Sequence, residues 1–461
     1  MRGLLLAALA LAVQPALAHT SERGFVMLLP TGLYILGGAL AVALSFVVMW
    51  AVPSRAFDAL TRFRRPLAGI GDGPGVWPSA VSLALLVLLV HAGFTGTRDP
   101  LANPLPPFVW SLWWVGFTFV VALLGDLWGP LNPWRALHRL AVVLTRLREP
   151  PLAYPGWLGA WPAVAAYFAF AWFELVHPAP FDPGILAAAC AGYAALTLAG
   201  MLVFGADAWL ARGEAFAVFF RMLGWLSALR PESGRIALAV PCAGLLDTGA
   251  LSRSHAAFVL LALGSVSFDG LSRTFWWLDL IGENPLEHPG RSTLVGINTL
   301  GLAGTWLALM GVYATVVRAG AKLGGHGAAG GGEYGRYVVA IVPIAFAYHF
   351  SHYLTSFLVD AQHALRALAD PFQLGWNLTG FRDWHVTASM LADHDSVHAI
   401  WNLQVAVIVL GHVAAVCVAH ALALRRYPGA RAALASQAPM TALMIAYTVF
   451  GLWLLSTPVA G

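Results

Sequence analysis

Apolar residues gather in ten blocks, near 27–52, 77–95, 108–131, 157–176, 184–205, 256–280, 293–317, 337–360, 397–422 and 439–457. Each is long enough to cross a hydrocarbon core of roughly 30 Å as a helix, which takes about 20 residues. Helices satisfy their own backbone groups where water is absent, so the pattern predicts an all-α fold: a polytopic transmembrane helix bundle of about ten spans. Two further apolar stretches are weaker. Ile236 to Leu251 is short, broken by Pro241 and carries Asp247, and reads as a re-entrant or cytoplasmic-surface segment; Glu214 to Leu229 reads as an interfacial helix.

Basic residues test the topology. With the mature N-terminus outside, the inner connections hold nineteen Lys or Arg, and the outer ones only Arg23, Arg98, Arg291, Arg366 and Arg382. Cytoplasmic loops are the ones enriched in Lys and Arg, so the count favours ten spans over eleven. Trp110, Trp113, Trp114, Trp128, Trp134, Trp276 and Trp277 fall near block boundaries, as interface aromatics do. The run Gly324 to Gly332 is a flexible inner linker, and no internal repeat is visible.

Composition agrees: 59% of the 461 residues are hydrophobic and 10% charged, with a mean hydropathy of +0.73. So few charges cannot cover a soluble surface, which excludes a secreted soluble enzyme, a disordered scaffold and a nucleic-acid binder and makes the lipid bilayer the first partner. Cys190, Cys242 and Cys417 lie far apart in apolar or Gly/Ala-rich sequence and read as buried small residues rather than a disulfide or zinc framework.

Residues 1–18 carry one Arg, an apolar core from Leu4 to Val13 and Ala16-Leu17-Ala18 before His19, the pattern of a cleaved secretory signal. Residues 19–461 then form a single transmembrane domain in a bacterial inner membrane, its N-terminus periplasmic. A terminal His19 offers an amine and an imidazole in one chelate, a conditional metal ligand.

Ionisable groups inside spans are costly and point to function. His91 lies near the outer end of the second span, and Glu174 and His177 at the edge of the fourth. Asp269 and Arg273 stand i,i+4 on one face of the sixth, where they form either a self-neutralising pair or an anchor for a ligand. Eight of the fifteen histidines fall between 349 and 420. His349 and His352 share a helical face, with Asp360, Gln362 and His363 beyond them; His398, His412 and His420 follow in the ninth span. Imidazole and carboxylate are ligands for zinc, copper or iron, so a metal site in the periplasmic half, drawing on His349, His352, His412 and His91, is one reading. Hydrogen-bonded core histidines and a proton path are the others. A b-type haem is a narrower case: His349/His363 and His398/His412 are each fourteen apart on antiparallel spans.

Several patches together resemble the fenitrothion hydrolase-like family of bacterial multi-span membrane proteins: LLPTGLYILGGALAVALSF, GDLWGPLNPWR, GSVSFDGLSRTFWW, PIAFAYHFSHYLTSFLVDAQ with Asp370-Pro371 after it, and WNLQVAVIVLGHVAAVCVAH. The matching positions are Asp269, His352, Gln362, Trp401, Gln404, His412 and His420, whereas His349, His363, His398 and the opening HTSERGFVMLLPTG depart from the pattern. The resemblance implies activity on an organophosphate triester, a small apolar substrate that could enter from the bilayer. A bound cation would lower the pKa of water and polarise the phosphoryl oxygen, with His352 and His412 among its ligands and Asp269 or Asp360 as proton acceptor. Metal or proton-coupled transport, and a haem or accessory role beside a partner subunit, stay open. Walker, GxSxG, HExxH and Rossmann motifs are missing, which disfavours ATP-driven transport and serine-hydrolase chemistry.

Overall fold

The computed structural model describes residues 31–52, 57, 59, 61–69, 75–146, 149–232, 234–284, 290–325, 331–427 and 429–457. The signal at residues 1–18, His19 and the linker residue His326 lie outside them. Among the described residues ten helices are long and apolar enough to cross a membrane. They are α1 (Thr31–Ala51), α2 (Trp77–Thr95), α3 (Leu105–Leu124), α4 (Gly156–Leu175), α5 (Pro183–Phe204), α6 (Arg253–Ser272), α7 (Arg291–Leu323), α8 (Gly332–Ala369), α9 (His394–Arg426) and α10 (Ala430–Ser456). The chain is a multi-pass helical membrane protein.

Local chemistry sets the ends of these helices. Asp182, Ser252 and Asp393 each accept a hydrogen bond from the backbone N–H three residues on and so cap α5, α6 and α9. The third span ends seven residues before its apolar block does, because Gly125 takes φ +100°, a conformation that favours glycine. Asp126 then accepts from the Gly129 N–H at 3.1 Å, the structural turn role its GDLWGP context implies. Likewise the sixth block breaks at Thr274, whose side chain caps a separate helix, Phe275–Leu280. Residues Phe108–Phe117 of α3 are wound as a π-helix. Such wide turns are rare and concentrate at functional sites.

Burial singles out α6, with 83% of its apolar window inside the protein against 11% for α1. It packs against α4, α7 and α8, and α8 also packs against α3 and α9. Ser265, Ser267 and Asp269 are therefore buried in the bundle rather than set against lipid. Close approach of helices relies on small residues: a Cβ on Gly411 of α9 would stand 2.5 Å from Ala347 Cβ of α8 and 2.9 Å from the Pro343 carbonyl oxygen.

Of the two weaker apolar stretches, the one from Ile236 gains detail and the one from Glu214 needs correction. The stretch from Ile236 opens as a strand. β1 (Arg64–Gly69), β2 (Leu229–Glu232) and β3 (Arg235–Ala239) form an antiparallel sheet in the order β1-β3-β2, with Arg64 opposite Ala239 and Leu229 opposite Leu238. Asp247 pairs with Arg64 at 3.0 Å, tying the two connections together. The segment from Glu214 does form a helix, Ala215–Gly224, but eight of its ten residues are buried, so it is packed within the protein rather than laid on a lipid surface. Glu214 caps it, accepting from Phe216 N–H at 3.0 Å, Ala217 N–H at 2.6 Å, Trp128 Nε1–H at 3.3 Å and the Tyr193 hydroxyl. Burial pushes the Glu214 carboxyl pKa up from its ordinary value.

Candidate functional site

Asp269 lies in the last turn of α6 and is 2% exposed. A lone carboxylate at that depth costs several kcal/mol, on the order of 3–5, unless donors surround it. Three do. Arg273 Nη2 stands 3.0 Å from Oδ1, the i,i+4 pair read from the sequence. His352 Nε2 lies 2.8 Å from Oδ2 and the Tyr353 hydroxyl 2.9 Å from the same oxygen. Tyr353 also lies 3.0 Å from Oε1 of Glu174, at the end of α4. Arg291, at the start of α7, donates to the Glu174 main-chain carbonyl at 2.8 Å. The ends of α4 and α6, the start of α7 and the middle of α8 thus converge through two carboxylates, one imidazole and one phenol.

These groups border a cavity of about 50 Å³, which Ser111, Phe357 and Asp360 also line. A single water needs roughly 10–15 Å³ measured in this way, so a few waters fit and an organic triester does not without movement. The Ser111 hydroxyl, from the π-helical turn of α3, is buried without a hydrogen-bond partner among the described residues, a polar group suited to water. The His352 side chain is 25% exposed. With Nε2–H donated to Asp269, its Nδ1 is left as the basic nitrogen, an oriented imidazole of the kind that accepts protons.

Of the residues anticipated from the sequence, Asp269, His352 and Asp360 meet at this cavity, and His349, His412 and His91 do not. His349 is buried with Nε2 3.2 Å from the Trp114 carbonyl oxygen and its ring edge-on to that indole at 4.8 Å. His412 is fully buried in α9; Nδ1 lies 2.8 Å from the Ile408 carbonyl of its own helix, and Nε2 has no hydrogen-bond partner among the described residues. His91 is exposed and touches Phe372. No group of three or more His, Cys, Asp or Glu side chains stands close enough to hold a metal ion among the described residues. The four histidines therefore do not fit one metal centre. The physical reason is direction: His349 and His352 share a helix face only loosely, and the first turns toward α3 while the second turns toward α6.

Of the histidines in the haem spacing, His349 turns to the Trp114 carbonyl and His412 to the Ile408 carbonyl of its own helix. His398 packs against His394 near the start of α9, ring centroids 4.5 Å apart and tilted at 59°. The remaining pattern residues hold the architecture. Gln362 bonds the Thr387 carbonyl at 3.0 Å and N–H at 3.1 Å, fastening the loop before α9. Gln404 and Ser351 exchange hydrogen bonds across α8 and α9 at 2.7 and 3.0 Å, and buried His420 meets Gln437 at 3.2 Å. Tyr353 and Arg291 were not anticipated as site residues. The sequence signals were a tyrosine beside a histidine in an apolar span and an arginine at a helix start.

No family model matches the chain, and no curated protein or solved structure resembles it significantly.

Proposed function

We propose that this protein handles protons at the periplasmic side of a bacterial inner membrane, as a proton-coupled transporter or as the proton-accepting subunit of a larger membrane assembly. One observation carries this reading: buried Asp269 pairs between helices with half-buried His352, and both border a cavity sized for water. Paired ionisable residues facing an internal cavity are how membrane proteins build proton relays. His352 takes a proton from cavity water at Nδ1. The Asp269 carboxylate, held by Arg273, stabilises the imidazolium that results. Reconstituted into vesicles with an enclosed pH dye, the wild-type chain is expected to move protons under an imposed gradient, and Asp269→Asn or His352→Gln to lose most of that flux. Equal flux from a correctly folded His352→Gln protein would end this reading.

A second reading follows from the same pair. Asp269 orients His352 as an orienter does a general base, and Arg273 and Arg291 border the cavity where a phosphoryl oxygen would need positive charge. Organophosphate triester hydrolysis, the activity implied by the fenitrothion hydrolase resemblance, would then use a water activated by His352. The cavity would have to widen to admit the substrate. Turnover of a chromogenic phosphotriester by the detergent-solubilised protein, abolished in His352→Gln, supports this reading; no turnover removes it.

A further inference from the structure

The hydrogen count around Tyr353 assigns a proton to a residue with no role above. Its hydroxyl oxygen stands 3.0 Å from Glu174 Oε1 and 2.9 Å from Asp269 Oδ2. A phenol has one hydrogen to donate, and an ionised carboxylate has none. With both acids ionised, the hydroxyl satisfies one carboxylate and turns a lone pair toward the other at hydrogen-bond distance, which is repulsive in a low dielectric. One added proton removes the conflict. Asp269 already faces Arg273 at 3.0 Å and His352 at 2.8 Å, so it is the better place for the negative charge. We infer that Glu174 is a proton-binding site, a neutral carboxylic acid near neutral pH that donates to Tyr353, which in turn donates to Asp269.

This chain of donors is also a route. When the Glu174 Oε1–H proton passes to the Tyr353 oxygen and the Tyr353 proton passes to Asp269 Oδ2, Glu174 becomes a carboxylate, Tyr353 stays neutral and Asp269 becomes the acid. One O–H bond breaks and one forms at the phenol, with no net charge created. The charged and titratable groups facing the pair are Arg273 from the end of α6, Arg291 from α7 and His352 and Asp360 from α8, all on the same cavity, with His349 of α8 against the Tyr353 ring and Tyr167 of α4 near Glu174. The use of this proton in transport rests on the proton-handling reading; its presence on Glu174 does not.

Infrared spectroscopy of the full-length protein labelled with 13C-glutamate tests the assignment. Near neutral pH the carbonyl stretch of a protonated, 13C-shifted carboxylic acid is expected, to be lost in Glu174→Gln and altered in Tyr353→Phe, which removes the shared hydroxyl. No labelled acid band in the wild type, or a band unchanged in Glu174→Gln, overturns it. A wild-type spectrum without any labelled acid band overturns the assignment even if a variant fails to fold, whereas a band is assigned to Glu174 only by its loss in Glu174→Gln, because burial also favours the protonated form of Glu214. Flux through His352 is measured separately, so the acid band with no proton flux would sink the proton-handling reading and leave Glu174 protonated.

Discussion

His352 Nε2 meets Asp269 Oδ2 at 2.8 Å although 83 residues separate them, and this contact joins the most buried of the ten spans to the helix that carries His349, His352 and His363. Removing the carboxylate strands three donors. Asp269→Ala is expected to cost about 3–5 kcal/mol, the range for breaking a buried ion pair. Asp269→Asn keeps an acceptor and should cost less. Denaturant unfolding in detergent measures both, and equal stability of the two variants would contradict the network.

Gly411 sets the distance between α8 and α9. An added methyl group meets Ala347 Cβ at 2.5 Å and the Pro343 backbone oxygen at 2.9 Å, neither of which is the end of a flexible side chain. Gly411→Ala is expected to destabilise by about 1–3 kcal/mol through overpacking. A melting temperature equal to wild type would show that the two helices are not in this contact.

Glu214 makes stability depend on pH. Its folded-state pKa is raised by burial, so the fold favours the protonated form. Stability attributable to this group is greatest below its unfolded value, declines as pH rises through the interval up to the folded value, and is constant above it. Glu214→Gln should flatten that interval in a pH series of unfolding curves while retaining a cap acceptor. Glu214→Ala should lose roughly 0.5–2 kcal/mol for the cap alone.

The dispersal of the histidines predicts the response to chelation. His91, His349, His352 and His412 do not converge on one point among the described residues, so stripping transition metals should leave the melting temperature unchanged, and His91→Ala should lie within about 0.5 kcal/mol of wild type as other exposed substitutions do. A drop on chelation that zinc or copper restores would mean the histidines gather in another conformation. Elemental analysis of protein purified without chelator gives the companion measurement.

The sequence by itself determined the ten spans, because hydrophobic length is a local property that a bilayer reads one segment at a time. It also determined the Asp269–Arg273 pair, since i,i+4 neighbours meet on any helix. It did not reveal the sheet: β1 is RRPLAG, with two arginines and a proline, and its partner β3 lies far along the chain, so neither strand carries its own signal. Nor did it choose among the histidines. His349 and His352 look alike in sequence, yet one ends on a backbone carbonyl of α3 and the other on a carboxylate of α6. Tyr353 meets Glu174 from 179 residues away. Which side chain receives which partner depends on how helices rotate and cross, a consequence of packing that only the tertiary structure decided.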